Sequence, residues 1–194
     1  MLDDGPTTHA VAYLLKKARK PLDYRDIILM LYKTDRIRLQ EDETKLTGDT
    51  PIATEMGPML YNTLARMQGK TKSDFWNYWI NPIQHNMLTL TQKGETAPLG
   101  ELSEDNRDIL DNVFANYTHK TNEQEIKSEF PEWDKPEPNE IKPIRLERIL
   151  REIGTNPKRI PKLVKDIEDK YDIRAILAEN KQVNTKNRTG ISNI

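Results

Sequence analysis

The chain has 194 residues, enough for one domain with an appendage, and its 36% hydrophobic and 31% charged composition, with a mean hydropathy of -0.80, is polar for a globular protein. Thirty Lys and Arg against thirty-one Asp and Glu give a net charge of -1, so bulk electrostatics favour neither nucleic acid nor membrane. The absence of cysteine excludes disulfides, thiol catalysis and cysteine metal ligation, and no run approaches the ~18 apolar residues of a membrane span; a cytoplasmic protein with no membrane partner is expected.

The opening MLDDGPTTHA is acidic and leads into an amphipathic face, unlike a signal peptide. A helix is predicted from Pro6 to Arg19, with Val11, Leu14, Leu15 and Ala18 on one face, and Lys20-Pro21 ends it. Asp23 is a suitable N-cap for a second helix. Its core face would carry Ile27, Ile28, Leu31 and Tyr32, and its charged far half, DRIRLQEDETK, is expected to be exposed.

Thr47-Gly48-Asp49 stops that helix. Pro51 to Met56 suits a short strand or extended loop, and Gly57-Pro58 is expected to open a third helix carrying Leu60, Thr63, Leu64 and Met67. The runs FWNYWI (75–80) and MLTLT (87–91), joined by NPIQH, carry alternating aromatic and β-branched residues and are predicted to form a β-hairpin. LSEDNRDILDNVFANY places Ser103 as N-cap before a broad apolar stripe of Ile109, Leu110, Val113, Phe114 and Tyr117. Thr121 with Gln124 resembles a capping box for a short helix ending near Phe130.

The proline-rich acidic segment that follows reads as a linker over 136–143. Amphipathic helices are predicted over 144–153 and 161–171 within an extension of 144–180, and 181–194 is expected to be a disordered tail. Charge is distributed in blocks: residues 95–140 carry thirteen acidic and four basic side chains, residues 142–165 eight basic and two acidic. The fold class expected is mainly α (α+β), a compact helical domain over 1–135 with a small β-hairpin or sheet, plus the C-terminal helical extension.

Catalytic chemistry is poorly represented. The histidines, His9, His85 and His119, stand in none of the familiar metal-ligand spacings, so no metal is expected. Gly69-Lys70-Thr71 imitates the end of a phosphate-binding loop, but Leu64 occupies the place of the earlier glycine that such a loop requires. Clusters such as Glu41-Asp42-Glu43 and Glu104-Asp105-Asp108 read as solvated helix faces. No catalytic residue and no cofactor is expected. The basic block of Arg145, Arg148, Arg151, Lys158, Arg159, Lys162 and Lys165 has two readings. The favoured one docks it against acidic segments of this chain or of a partner; the alternative is a nucleic-acid-binding regulator whose basic helices track phosphates.

Taken together in order, Leu31-Tyr32, the turn with Gly48, Asp49, Pro51 and Ile52, then Met56, Gly57 and Pro58, then Leu102-Ser103, Val113 and Tyr117, and finally Pro131 and Trp133 resemble the Panacea domain, the SocA-like antitoxin family of bacteria and their phages. The resemblance spans roughly 8–135, and ILREIG with the helix after it is similar to an extension that some members carry. At Lys127-Ser128 the chain departs from the Thr-His that many members have.

The resemblance implies a non-enzymatic binding protein that neutralises a cognate protein toxin, encoded by a neighbouring gene, through direct contact; a proteolytic-adaptor role, with a bacterial protease as second partner, is a further implication. The scaffold positions are then Leu31, Tyr32, Gly48, Pro51, Ile52, Gly57, Pro58 and Trp133. Toxin contact is expected from Asp49, Glu55, Met56, Arg145, Arg148, Arg151, Lys158 and Arg159.

Overall fold

Helix α2, Tyr24–Asp42, is the axis of the structure, because its sequence is apolar on more than one face. Ile27, Ile28, Leu29, Met30, Leu31 and Tyr32 are all buried, a run no two-sided surface helix could carry, and they meet α1 (Asp4–Ala18), α6 (Glu104–Asn116), α8 (Leu146–Glu152) and the β-hairpin. This computed structural model describes residues 4–100 and 102–171, so the expected tail over 181–194 and the end of the expected extension lie outside the described residues. Asp23 caps α2 as expected, its carboxylate accepting from the Arg25 N–H at 2.8 Å.

The chain is mainly α with small antiparallel sheets. Strands β2 (Pro51–Thr54) and β3 (Gly57–Leu60) form a hairpin in the register Ile52 opposite Met59, and β5 (Lys142–Pro143) adds to the other edge of β2. A separate pair joins β1 (Leu22–Asp23) to β4 (Met87–Leu88). Helices α3 (Tyr61–Met67), α4 (Asp74–Trp79), α5 (Gln92–Thr96) and α7 (Glu123–Glu129) are short, and α9 runs over 160–171.

Several expectations are corrected. Gly57-Pro58 begins β3 and not a helix; Gly57 takes φ +120°, which only glycine adopts without strain, and α3 starts at Tyr61. All of FWNYWI but Ile80 is helical, because the Ser73 hydroxyl caps the Trp76 N–H at 3.1 Å and Trp76 and Trp79 then share one buried face at i, i+3. The aromatic β preference loses to a cap and a helical spacing that fit the core. Only isolated bridges, Ile80 with Leu90 and Gln84 with Met87, remain of the expected hairpin.

The far half of α2 is also less exposed than its charge suggests, since Asp35 and Leu39 are buried. The N-cap of α7 is Asn122, although Thr121 still meets Glu125 through its N–H at 2.8 Å.

Candidate functional site

The segment leaving α2 folds back as a tight turn in which Gly48 takes φ +62°. Beyond it, the Asp49 carboxylate accepts from the N–H groups of Thr50 (2.6 Å), Asn62 (3.0 Å) and Thr63 (2.7 Å), from the Asn62 side-chain amide (2.9 Å) and from the Thr63 hydroxyl (2.7 Å). Leu60, the N-cap residue of α3, has no side-chain hydrogen bond to give, so Asp49 caps that helix from thirteen residues upstream. Asp49 is 1% exposed and is occupied within its own chain.

The same turn is tied to α2 through Asp35, whose buried carboxylate accepts from the Thr47 N–H (3.0 Å) and hydroxyl (2.5 Å). Burial pushes the Asp35 carboxyl up, against the pull of Lys45 and the Thr47 bonds.

A second junction joins α2 to the segment after α7. The Tyr32 hydroxyl donates to Glu132 at 2.6 Å, Arg36 pairs with the same carboxylate oxygen at 3.1 Å, and an Arg36 amino group donates to the Glu129 carbonyl at 2.7 Å. Burial, then Glu132, drives the Tyr32 phenol well above its ordinary pKa. One residue on, the Trp133 indole donates to the Thr54 carbonyl at 3.0 Å and so fixes the hairpin. At Gly57 a Cβ would stand 3.4 Å from Ile126 of α7. The structure brings Tyr32, Gly57 and Trp133 to one junction of α2, the hairpin and α7; Leu31 is buried in α2, Pro51, Ile52 and Pro58 lie in the hairpin strands, and Gly48 is at the adjoining turn.

The residues expected to meet a partner divide sharply. Glu55 and Met56 stand exposed at the β2–β3 tip, where the Tyr24 hydroxyl meets the Met56 sulfur at 3.9 Å and Glu55 accepts from the Asn139 N–H at 2.7 Å. In the basic block, Arg148 pairs with Asp134 and Arg159 with Glu43, so these two hold the extension to the rest of the chain. Hydrogen bonds from Arg148 and Lys127 keep the Asp134 carboxyl well below the usual carboxylate range. Arg145, Arg151 and Lys158 are exposed and make no ion pair among the described residues. Segment 139–143, expected to be a linker, lies against the hairpin through Asn139 and β5.

The histidines are not brought together. His9 is packed in the core edge-on to Phe75 and Trp79, and His85 sits in a turn with φ +50°. His119 contacts Asp26 at 2.8 Å, with the Tyr117 hydroxyl donating to the same oxygen at 2.7 Å. Among the described residues no group of three or more His, Asp or Glu could hold a metal ion, and no helix is long and apolar enough to cross a membrane. A surface depression of about 420 Å³ is lined by Lys120, Gln124, Glu125, Ser128 and Glu129, with no nucleophile–base pair among them.

Sequence reasoning missed Asp35, Lys45, Glu132 and Tyr171 as organising residues. Only Glu132 carried a signal, as a carboxylate between the large apolar residues Phe130 and Trp133.

Comparison with known proteins bears on this junction directly. The family described as antitoxin SocA-like, Panacea domain matches residues 29–134, more than half the chain and the whole span from the Tyr32 end of the junction to Trp133. No curated protein and no solved structure matches the chain.

Proposed function

We propose, since this chain belongs to the antitoxin SocA-like, Panacea domain family, that it is an antitoxin which neutralises a cognate protein toxin by direct contact. The observation that carries the reading is the family match across 29–134, the stretch whose residues build the α2–hairpin–α7 junction. The protein acts by binding and without catalysis, in the cytoplasm.

The toxin-facing surface combines the hairpin tip with the open face of the extension. Glu55 and Met56 supply the tip, while Arg145, Arg151 and Lys158 supply cations that make no ion pair among the described residues. Arg148 and Arg159 contribute by holding α8 and α9 in place through Asp134 and Glu43. Asp49 contributes by keeping the turn and α3 in register. Exposed arginines suit acidic interface groups because the guanidinium presents several donors in a fixed fork.

The test is co-expression with the product of the adjacent gene. The chain should co-purify with that product and restore growth against its toxicity; neither binding nor rescue against any neighbouring gene product would overturn the reading. A toxin whose lifetime falls when the chain is present and a protease is active would add the adaptor role.

The alternative, a nucleic-acid-binding regulator, draws on the same open cations. It requires salt-dependent retention of DNA or RNA that vanishes when Arg145, Arg151 and Lys158 are replaced together.

A further inference from the structure

The last described residue of α9 reaches back to the segment leaving α2. The Tyr171 hydroxyl accepts from the Lys45 N–H at 2.5 Å and donates to the Lys45 carbonyl at 2.8 Å, a pair of hydrogen bonds across 126 positions of sequence. The Lys45 ammonium lies 4.9 Å from the centroid of the Tyr171 ring and donates to the Asp49 carbonyl at 2.8 Å. One aromatic residue thus holds both main-chain groups and the side chain of a single lysine.

The rest of α9 supports this closure. Ile160, Leu163, Val164 and Ile167 are buried, and Arg159 just before the helix pairs with Glu43 at the end of α2. Lys45 feels the carboxylates of Asp35, Asp49 and Glu168, which come from α2, the turn and α9. From Lys45 the path is a series of direct contacts. The Lys45 ammonium bonds Asp49, the Asp49 N–H bonds the Thr47 hydroxyl at 3.1 Å, and the Asp49 carboxylate takes the first free N–H groups of α3.

We propose that α9 is a strap whose Tyr171 clamp on Lys45 sets the closure of the Lys45–Thr50 turn and, through Asp49, the N-terminal cap of α3. The consequence reaches the surface, because Tyr61, the first residue of α3, is 53% exposed. A partner that lifts α9 therefore loosens the Tyr61 surface, and one that grips that surface tightens α9, since coupling between two sites is reciprocal. This device is independent of what the partner is.

The experiment is amide hydrogen exchange on the full chain with Tyr171→Phe, which keeps the ring over the ammonium and removes both hydroxyl bonds. Exchange is expected to quicken about tenfold at Lys45 and also at Asn62 and Thr63, while Leu110 and Val113 in the middle of α6 stay unchanged. Faster exchange confined to Lys45 would overturn the coupling, and equal acceleration in α6 would show general destabilisation and overturn it as well. Thr63→Val tests the same path from its other end by removing one bond to Asp49. It should speed exchange at Lys45, and an unchanged Lys45 amide refutes the strap whether or not the Tyr171 variant folds.

Discussion

Tyr32 and Glu132 meet at 2.6 Å across one hundred positions of sequence, hydroxyl to carboxylate, with both residues buried. A buried carboxylate needs compensation, and this one has the Tyr32 hydroxyl as hydrogen-bond donor and the Arg36 guanidinium as ion-pair partner. Tyr32→Phe should cost about 1.5 kcal/mol, and Glu132→Ala about 3 kcal/mol because it takes the carboxylate from the Arg36 ion pair and leaves that cation held only by the Glu129 carbonyl and the Phe130 ring. Urea denaturation of the two variants and their combination checks this. A coupling energy near zero in the double-mutant cycle would show that the contact adds nothing.

Asp49 tests whether the turn acts as scaffold or as contact surface. Its carboxylate accepts five hydrogen bonds, three of them from main-chain N–H groups. Asp49→Ala should lower unfolding free energy by about 3 kcal/mol and Asp49→Asn by roughly half as much, because an amide keeps one acceptor oxygen. Affinity for the toxin proposed above, measured well below the unfolding temperature, should fall little in Asp49→Asn. A large loss of affinity in a fully folded Asp49→Asn protein would instead make this residue a direct contact.

These two sites show what the sequence could convey. The Asp23 and Ser103 caps were legible because the capping side chain and the N–H groups it serves lie within three residues. Asp49 caps α3 from thirteen residues away, and Glu132 serves a tyrosine a hundred residues earlier, so neither partner can be read from local spacing. FWNYWI misled for a different reason. Its aromatic content favours a strand, whereas the Ser73 cap and the buried spacing of Trp76 and Trp79 favour a helix, and burial decided between them. The basic block was legible as a charged surface, but which arginines are already used by Asp134 and Glu43 depended on tertiary placement.

Alkaline pH should unfold the protein through its tyrosines. Burial, then the hydrogen bond to Asp111, pushes the Tyr13 phenol up to about 12, and Tyr24, Tyr32 and Tyr117 are raised as well, each chiefly by burial. A phenol whose native pKa exceeds its unfolded value of 10.0 holds its proton more tightly when folded, so its contribution is complete below pH 10 and is lost as pH climbs through the native value. For Tyr13 that window is about pH 10 to 12. Thermal melts across the window should show a steep loss of stability, and Tyr13→Phe should make the slope shallower by up to one proton. An identical slope in the variant would remove Tyr13 from the account.

Gly94 is a position where a single methyl group should be costly. It lies inside α5, and a Cβ built there would stand 2.3 Å from the Trp79 carbonyl oxygen, well inside contact distance. The neighbour is backbone, so no side chain can rotate away. The approach is fixed from both ends of α5: the Thr91 N–H donates to the same Trp79 carbonyl at 2.9 Å, and the Lys16 ammonium donates to the carbonyls of Glu95 (3.1 Å) and Ala97 (2.6 Å). Relieving the overlap by moving α5 off α4 stretches these bonds and opens the packing over Trp79. Gly94→Ala should therefore cost about 3 kcal/mol, although alanine is normally the better helix former by about 1 kcal/mol. Gly100, around which a Cβ would meet nothing within 4 Å, is the control, and Gly100→Ala should leave the denaturation midpoint unchanged or raise it slightly. Equal midpoints for the two variants would mean that the α4–α5 approach is loose enough to absorb a methyl group.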